Sequence, residues 1–213
     1  MTPVRVAVLI SGRGSNLGAL LDAAETRGYP ARIALVLSNR PNAAGLGLAA
    51  RNGVATLAID HRHFAADRAA HEAVIHAALL EHGIGLVCLA GYMRLLTPFL
   101  VGAWAGRMLN VHPSLLPAFP GLDTHARALA AGVKLHGCTV HLVTEQVDAG
   151  PILTQAAVPV LPGDTEAALA ARVLAQEHRI YPEALRLHAG SLPGAYDPAA
   201  ALASPLPLLP SKP

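Results

Sequence analysis

The run Val4-Arg5-Val6-Ala7-Val8-Leu9-Ile10-Ser11-Gly12-Arg13-Gly14-Ser15-Asn16-Leu17 decides how this chain is built. Its first seven residues are apolar and rich in valine, broken only by Arg5, the pattern of a strand buried on both faces. Gly12 and Gly14 then interrupt it, and an apolar helical pattern follows from Leu17 to about Thr26. Strand, Gly-rich turn and helix start open a βαβ unit, and the free backbone N–H groups at such a helix start form an anion site whose usual occupant is a phosphate. A dinucleotide fingerprint would place its third glycine three residues after Gly14 and an acidic residue at the end of the next strand. Here that glycine comes one place late, at Gly18, and the second strand, Ile33 to Leu37, ends in Ser38-Asn39-Arg40. An NAD site is disfavoured, while an NADP site using Arg40 and a tight turn without ligand both stay open.

Working outward, the same alternation recurs. A helix from about Gly45 to Arg51 and a strand from Thr56 to Ile59 complete a βαβαβ half. His61 and His63 have ligand-like spacing but no accompanying Cys or carboxylate cluster, so they read as a solvated loop. A helix from Asp67 to about Glu81 carries an apolar face at Val74, Ile75 and Leu79, with Arg68 opposing the dipole in its first turn. Leu86 to Ala90 is a further buried strand. Gly91-Tyr92-Met93-Arg94-Leu95-Leu96 follows with too many large apolar residues for an ordinary loop, so it either packs as core or lines an apolar ligand pocket.

The next strand, Met108 to Val111, leads into Asn110-Val111-His112-Pro113-Ser114-Leu115-Leu116-Pro117. Residues two apart on a strand share a face, so Asn110 and His112 project together from its carboxyl end, where ligands sit in open α/β sheets. An amide beside an imidazole suits oxyanion stabilisation and proton transfer, and it equally suits a hydrogen-bonded strand terminus. Asp123 or Thr124 is placed to cap the helix that runs to about Ala131. Two strands, His136 to Val143 and Ile152 to Val160, then form a hairpin around Thr144-Glu145-Gln146-Val147-Asp148-Ala149-Gly150, in which a rigid turn fixes the Asp148 carboxylate. In the last helix, starting near Asp164, Leu169, Val173, Glu177 and Tyr181 share one stripe. A glutamate on a buried stripe needs a partner, either an arginine, which is slightly favoured, or a ligand hydroxyl.

With 213 residues, 53% hydrophobic content and a net charge of +2, the chain suits one well-buried domain and makes no case for nucleic acid or a membrane surface. No apolar run approaches the ~18 residues of a membrane span despite a mean hydropathy of +0.41. Cys88 and Cys138 each lie in an apolar strand-like run and read as reduced core residues in a cytoplasmic protein. From Gly190 onward, six of the 17 prolines fall in the last 24 residues. That divides the chain into a domain over 1–189 and a Pro/Ala/Leu-rich tail over 190–213, expected to be mobile.

Taken together, Ile10-Ser11-Gly12-Arg13-Gly14-Ser15-Asn16-Leu17, Ala90-Gly91-Tyr92-Met93-Arg94-Leu95-Leu96, Asn110 to Pro117, Phe119-Pro120-Gly121-Leu122, His141, Asp148-Ala149-Gly150-Pro151 and Gln176-Glu177-His178 resemble the phosphoribosylglycinamide formyltransferases, folate-dependent enzymes of purine synthesis. The resemblance spans roughly Val4 to His188. It implies a Rossmann-like formyltransferase fold, with a mostly parallel sheet, helices on both faces and a C-terminal antiparallel hairpin. It also implies formyl transfer from 10-formyltetrahydrofolate to the amine of glycinamide ribonucleotide, with no metal and no nicotinamide. By the same resemblance, Asn110, His112 and Asp148 are the catalytic set, Asn110 and His112 stabilising the oxyanion while Asp148 favours the imidazolium and relays a proton. Gly14, Ser15 and Asn16 would hold the ribonucleotide phosphate and Glu177 its ribose. Arg68, Met93, Arg94, Leu95, Leu96 and Asn110 would line the folate site, with Thr144, Glu145, Gln146, Val147 and Asp148 forming the loop over the pterin. One departure is Asp123, where the family often carries a basic residue, although His125 lies close by in sequence.

Other readings remain. Methionyl-tRNA formyltransferase shares the Asn-x-His and Ser-Leu-Leu-Pro features but is expected to carry a further C-terminal domain and to bind tRNA. Formyltetrahydrofolate hydrolase is expected to carry an N-terminal regulatory domain ahead of the first strand. An NADP-dependent reductase leaves Asn110, His112, Asp148 and the hairpin unexplained, and a catalytically dead binding module leaves three filled catalytic positions without a use. The oligomeric state, monomer or homodimer, stays open.

Overall fold

Because side chains alternate across a strand, the first strand, β1 (Val4–Ile10), feeds two hydrophobic layers at once. Val6, Val8 and Ile10 enter one core cluster and Ala7 and Leu9 the other, all fully buried. The computed structural model describes residues 2–192. After β1 come α1 (Ser15–Ala24), β2 (Ala31–Ser38), α2 (Ala44–Arg51), β3 (Ala55–Ala58), a 3₁₀ turn (His61–Phe64), α3 (Arg68–Glu81) and β4 (Leu86–Leu89). The second half runs α4 (Pro98–Ala103), β5 (Met108–His112), α5 (Thr124–Ala130), β6 (Leu135–Leu142), β7 (Ile152–Pro159) and α6 (Glu166–Ser191).

These strands form one seven-stranded sheet in the order β3-β2-β1-β4-β5-β6-β7. The five from β3 to β5 are parallel, while β6 and β7 add on antiparallel. Chain direction away from β1 reverses between β1 and β4, so the carboxyl ends of these two strands open the crevice in which such sheets bind ligands. The Rossmann-like layout with a C-terminal hairpin is therefore as the sequence predicts. Residues of α1 and α6 pack on the face of Val6 and Val8, and those of α3 and α4 on the face of Leu9.

The stripe on α6 is buried as expected: Leu169, Val173, Glu177 and Tyr181 are each at most 7% exposed. Tyr181 carries its hydroxyl into the sheet, within 3.0 Å of the Leu89 carbonyl and 3.2 Å of the Leu109 carbonyl. It ties the ends of β4 and β5 together just ahead of Asn110. Cys88 and Cys138 are free and buried, their thiols pushed up to about 12 by desolvation.

Three local expectations are corrected. The inner face of α3 is His71, Glu72, Ile75, Ala78 and Leu79, and Val74, about 100° round the helix from Ile75, is 44% exposed. His61 and His63 lie in the 3₁₀ turn instead of a free loop, and the His61 ring is held by Asn39. The last helix continues through Ser191, past the expected tail boundary at Gly190. The rest of that tail, 193–213, lies outside the described residues. Among the described residues no helix is long and apolar enough to cross a membrane.

Tyr181→Phe removes a buried donor from two carbonyls and should lower unfolding stability by ~1–3 kcal/mol in urea titration, whereas an unchanged midpoint would show the hydroxyl to be energetically idle. Burial lowers several histidines, His136 from its ordinary 6.5 to about 4 and His141 and His188 in the same direction. Since the unfolded chain then binds more protons, their contribution is complete above pH 6.5 and is lost as pH falls toward 4. The urea midpoint should therefore drop between pH 7 and pH 5, and a flat profile would contradict the neutral assignment of these rings.

Candidate active site

At the carboxyl end of β5, Asn110 and His112 project together, and the turn between β6 and β7 brings Asp148 to them. The distance from His112 Nδ1 to Asp148 Oδ2 is 3.4 Å, with both side chains under 10% exposed. The other ring nitrogen, Nε2, lies 3.0 Å from the Phe119 carbonyl oxygen. An acceptor oxygen thus faces each ring nitrogen. Asp148 sits in the left-handed region at φ 53°, which Asp tolerates better than most residues. Its Oδ2 accepts from the Gly121 N–H at 2.8 Å. The turn is pressed onto β6 at Gly150, where any Cβ would collide with the Leu142 carbonyl oxygen.

Antiparallel pairing sets Asn110 opposite His141. The Asn110 Nδ2 to His141 Nε2 distance is 3.2 Å, His141 Nδ1 lies 2.9 Å from the Leu142 carbonyl, and Asp148 Oδ1 is 3.7 Å from Nε2. His141 is 2% exposed. Desolvation lowers its pKa, against smaller opposing effects of the Leu142 carbonyl and Asp148, so the ring is neutral.

Below this group, Thr139 anchors the segment that leaves β5. Its hydroxyl accepts from the Leu116 N–H and from Gln155 Nε2, each at 3.0 Å, and donates to the Ser114 carbonyl at 2.7 Å. Asp123 occupies the N-cap position of α5 with φ 57° and makes no capping bond. Thr124 Oγ1 donates instead to the Pro113 carbonyl. The expected cap is absent because Asp123 adopts the left-handed conformation instead of the extended one that aims a side chain at the helix N–H groups. His125 is engaged by His136, with Nδ1 to Nε2 at 3.2 Å.

A second cluster forms at the end of β1. Gly14 stands at the N-cap of α1 with φ 79°, so it offers no side chain to the helix N–H groups. The first turn is closed by Gly18 N to Gly14 O at 3.0 Å. The N–H groups of Ser15, Asn16 and Leu17 therefore lie ahead of the first helical bond. Asn16 turns its side chain to α6, where Nδ2 donates to Glu177 Oε2 at 2.7 Å. The partner of the buried glutamate is thus an asparagine, not the arginine slightly favoured from sequence. Burial raises the Glu177 carboxyl against the lowering effect of Asn16. Asn16 Oδ1 is buried without a hydrogen-bond partner among the described residues, an acceptor left for a hydroxyl or ammonium donor. Beside it, a groove of about 540 Å³ runs between α1 and α6, lined by Ser15, Asp22, His178 and Arg179 among others.

The expected folate-side residues differ in burial. Met93 and Leu95 are 63% and 60% exposed, which rules out core packing for these two side chains. Arg94 and Leu96 are half-buried. The segment is held from below, since Ser11 Oγ accepts from the Met93 N–H at 2.8 Å and donates to Asn39 Oδ1 at 2.6 Å. Arg68 is exposed at the first residue of α3. In the hairpin turn Thr144 Oγ1 donates to the Gln146 carbonyl, and Glu145, Gln146 and Val147 are exposed. Thr144 and Glu145 also line a cavity of about 190 Å³ with Val101, Gly102, Leu142, Val143 and Pro151. Asn110, His112 and Asp148 are thus brought together, as are Asn16 and Glu177. The sequence reading singled out His141 without a role and missed Thr139 and the Phe119 carbonyl. The available signal was the alternation of β6, which puts Thr139 and His141 on one face. Among the described residues no three His, Cys, Asp or Glu side chains are grouped as metal ligands.

Comparison with known proteins agrees with this architecture. A family model described as formyl transferase matches residues 4–185. Over 179 residues the chain is 45% identical to a phosphoribosylglycinamide formyltransferase of Escherichia coli, covering 84% of each. It is 50% identical over 183 residues to the human trifunctional purine biosynthetic protein adenosine-3, covering 86% of this chain but only 18% of that one. Among solved structures, glycinamide ribonucleotide transformylase 1 from Symbiobacterium toebii superposes with a TM-score of 0.86 at 51% identity, covering 90% of this chain and 92% of the other. With the matched family spanning β1 to α6, this chain belongs to the formyl transferase family.

Proposed function

We propose that this chain transfers the formyl group of 10-formyltetrahydrofolate to the primary amine of glycinamide ribonucleotide, acting in the cytoplasm on small molecules alone. The observation that carries the reading is the convergence of Asn110, His112 and Asp148 at the end of β5. The relative from Escherichia coli is a phosphoribosylglycinamide formyltransferase of similar length, and the chain spans only about a fifth of the trifunctional relatives. The proposal concerns this one transfer step.

In this mechanism the amine nitrogen attacks the formyl carbon, a new C–N bond forms, and the carbonyl π pair moves onto oxygen. Asn110 Nδ2–H and an N–H of His112 would donate to that oxyanion, each such donor being worth ~3–4 kcal/mol in the transition state. The Phe119 carbonyl now holds the acceptor position at His112 Nε2, so the oxyanion would take its place. Collapse then breaks the bond from the formyl carbon to N10 of the folate, while the amine gives up a proton and N10 gains one. Asp148, 3.4 Å from His112 Nδ1, would relay that proton through water. The N–H groups of Ser15 and Asn16 would bind the phosphate at the start of α1, with Gly14 letting the backbone approach closely. Glu177, oriented by Asn16, would accept from the ribose hydroxyls. Arg68, Met93 to Leu96 and Thr144 to Val147 would line the folate.

Purified protein should convert 10-formyltetrahydrofolate to tetrahydrofolate only when glycinamide ribonucleotide is present. Turnover independent of the ribonucleotide would instead identify a hydrolase, and NADPH binding without turnover would sink the assignment. His112→Ala and Asp148→Ala should each lower kcat by ~10²–10³ with KM changed only severalfold. Near-normal kcat in either variant contradicts the catalytic roles of these two side chains. Glu177→Gln should do the opposite, raising KM for the ribonucleotide by ~10-fold or more while kcat stays close to native. An unchanged KM would remove Glu177 from the ribose site.

A further inference from the structure

An oxyanion donor built from a carboxamide has a weakness that an N–H of imidazolium lacks. Rotation by 180° replaces the NH₂ group with the carbonyl oxygen, and a carbonyl facing a developing oxyanion repels it. Something must decide which end of Asn110 faces the reaction, and the residue placed to do so is His141. It stands opposite Asn110 in the β5–β6 ladder. Its Nδ1 is 2.9 Å from the Leu142 carbonyl, which can only accept, so Nδ1 carries the proton. Nε2 of the neutral ring then presents a lone pair, and the group that meets it at 3.2 Å is Asn110 Nδ2. With the amide turned over, Oδ1 would face that lone pair. One N–H of Asn110 is thereby spent on His141, and the other remains on the same nitrogen for a reacting oxygen.

We propose that His141 is a positioning residue: as the neutral Nδ1–H tautomer it locks the Asn110 amide with its nitrogen toward the reaction and leaves Asp148 to His112. The same lone pair accounts for both effects. Asp148 Oδ1 is 3.7 Å from His141 Nε2. A proton there would draw the carboxylate to His141 and away from His112 Nδ1, now 3.4 Å from Oδ2. The groups facing the His141 ring are therefore Asn110 and His112 from β5, the Leu142 carbonyl from its own strand, and Asp148 from the turn. Burial at 2% exposure keeps the ring neutral among them. This inference rests on the reading of Asn110 as an oxyanion donor.

The test separates the two nitrogens of His141. Gln places its side-chain oxygen near the Nε2 position and keeps an acceptor for Asn110, whereas Asn keeps a donor near Nδ1 and removes that acceptor. H141Q should retain kcat within ~5-fold of the native chain, and H141N should lose ~30–100-fold with both KM values within ~3-fold. In an N110A background, H141N should add no more than ~2-fold, because the two act through one hydrogen bond. Equal damage in H141Q and H141N, or a loss that multiplies with N110A, overturns the proposal. If N110A itself retains native turnover, the oxyanion assignment falls, and the inference falls with it. A measurement on the native chain covers the case in which the variants do not fold. ¹⁵N NMR of labelled histidine at neutral pH should show His141 as the neutral Nδ1–H tautomer, and an Nε2–H tautomer or an imidazolium overturns the proposal equally.

Discussion

A carboxylate taken out of water must be met by charge or hydrogen bonds, and in this chain that requirement falls on Asp148. Its side chain is 9% exposed and is held by His112 on one oxygen, with the Gly121 N–H donating to the same oxygen. An unpaired charge at such a site would cost several kcal/mol, so the turn over Thr144–Gly150, the end of β5 and the loop at Phe119–Gly121 have to arrive together. β6 runs antiparallel to β5, from Thr139 opposite His112 to Leu142 opposite Leu109. The turn after it therefore starts beside Met108, at the amino end of β5. It has to fold back along β5 for Asp148 to come within 3.4 Å of His112.

The same logic places the second cluster. Glu177 is buried on α6, and Asn16 on α1 meets it, which ties the helix after the Gly-rich turn to the last helix of the domain. One turn further on, Tyr181 reaches the carbonyls of Leu89 and Leu109. A single face of α6 therefore links the helix after the Gly-rich turn to the strand that presents Asn110. The two ends of the proposed reaction, phosphate anchoring and oxyanion stabilisation, are held in one rigid frame, which is how remote binding contributes to positioning at the reacting centre.

Much of this frame was legible in the residues. The valine-rich β1 with Gly12 and Gly14, the alternation of strands and helices, and the hairpin around Asp148 all follow from period and turn chemistry. What escaped was whatever depends on register or backbone conformation. That His141 stands opposite Asn110 is a fact about pairing between strands, and nothing in either strand alone encodes it. The partner of Glu177 was expected to be an arginine because charge pairs with charge. A buried asparagine 161 positions away leaves no local trace. Val74 sits beside Ile75 in sequence but 44% exposed on the helix, since the buried stripe is carried by His71, Glu72 and Ile75 instead. Asp123 looks like a cap by type and fails by φ. The backbone carbonyl of Phe119, which meets His112, is invisible to any reading of side chains.

The central claim is that the end of β5 receives the formyl oxygen. A crystal structure of this chain with glycinamide ribonucleotide and a non-transferable 10-formyl folate analogue tests it directly. The formyl oxygen should lie ~3 Å from both Asn110 Nδ2 and a ring nitrogen of His112, with the Phe119 carbonyl displaced from the imidazole. A formyl oxygen turned away from both side chains, with His112 still bonded to Phe119, would contradict it.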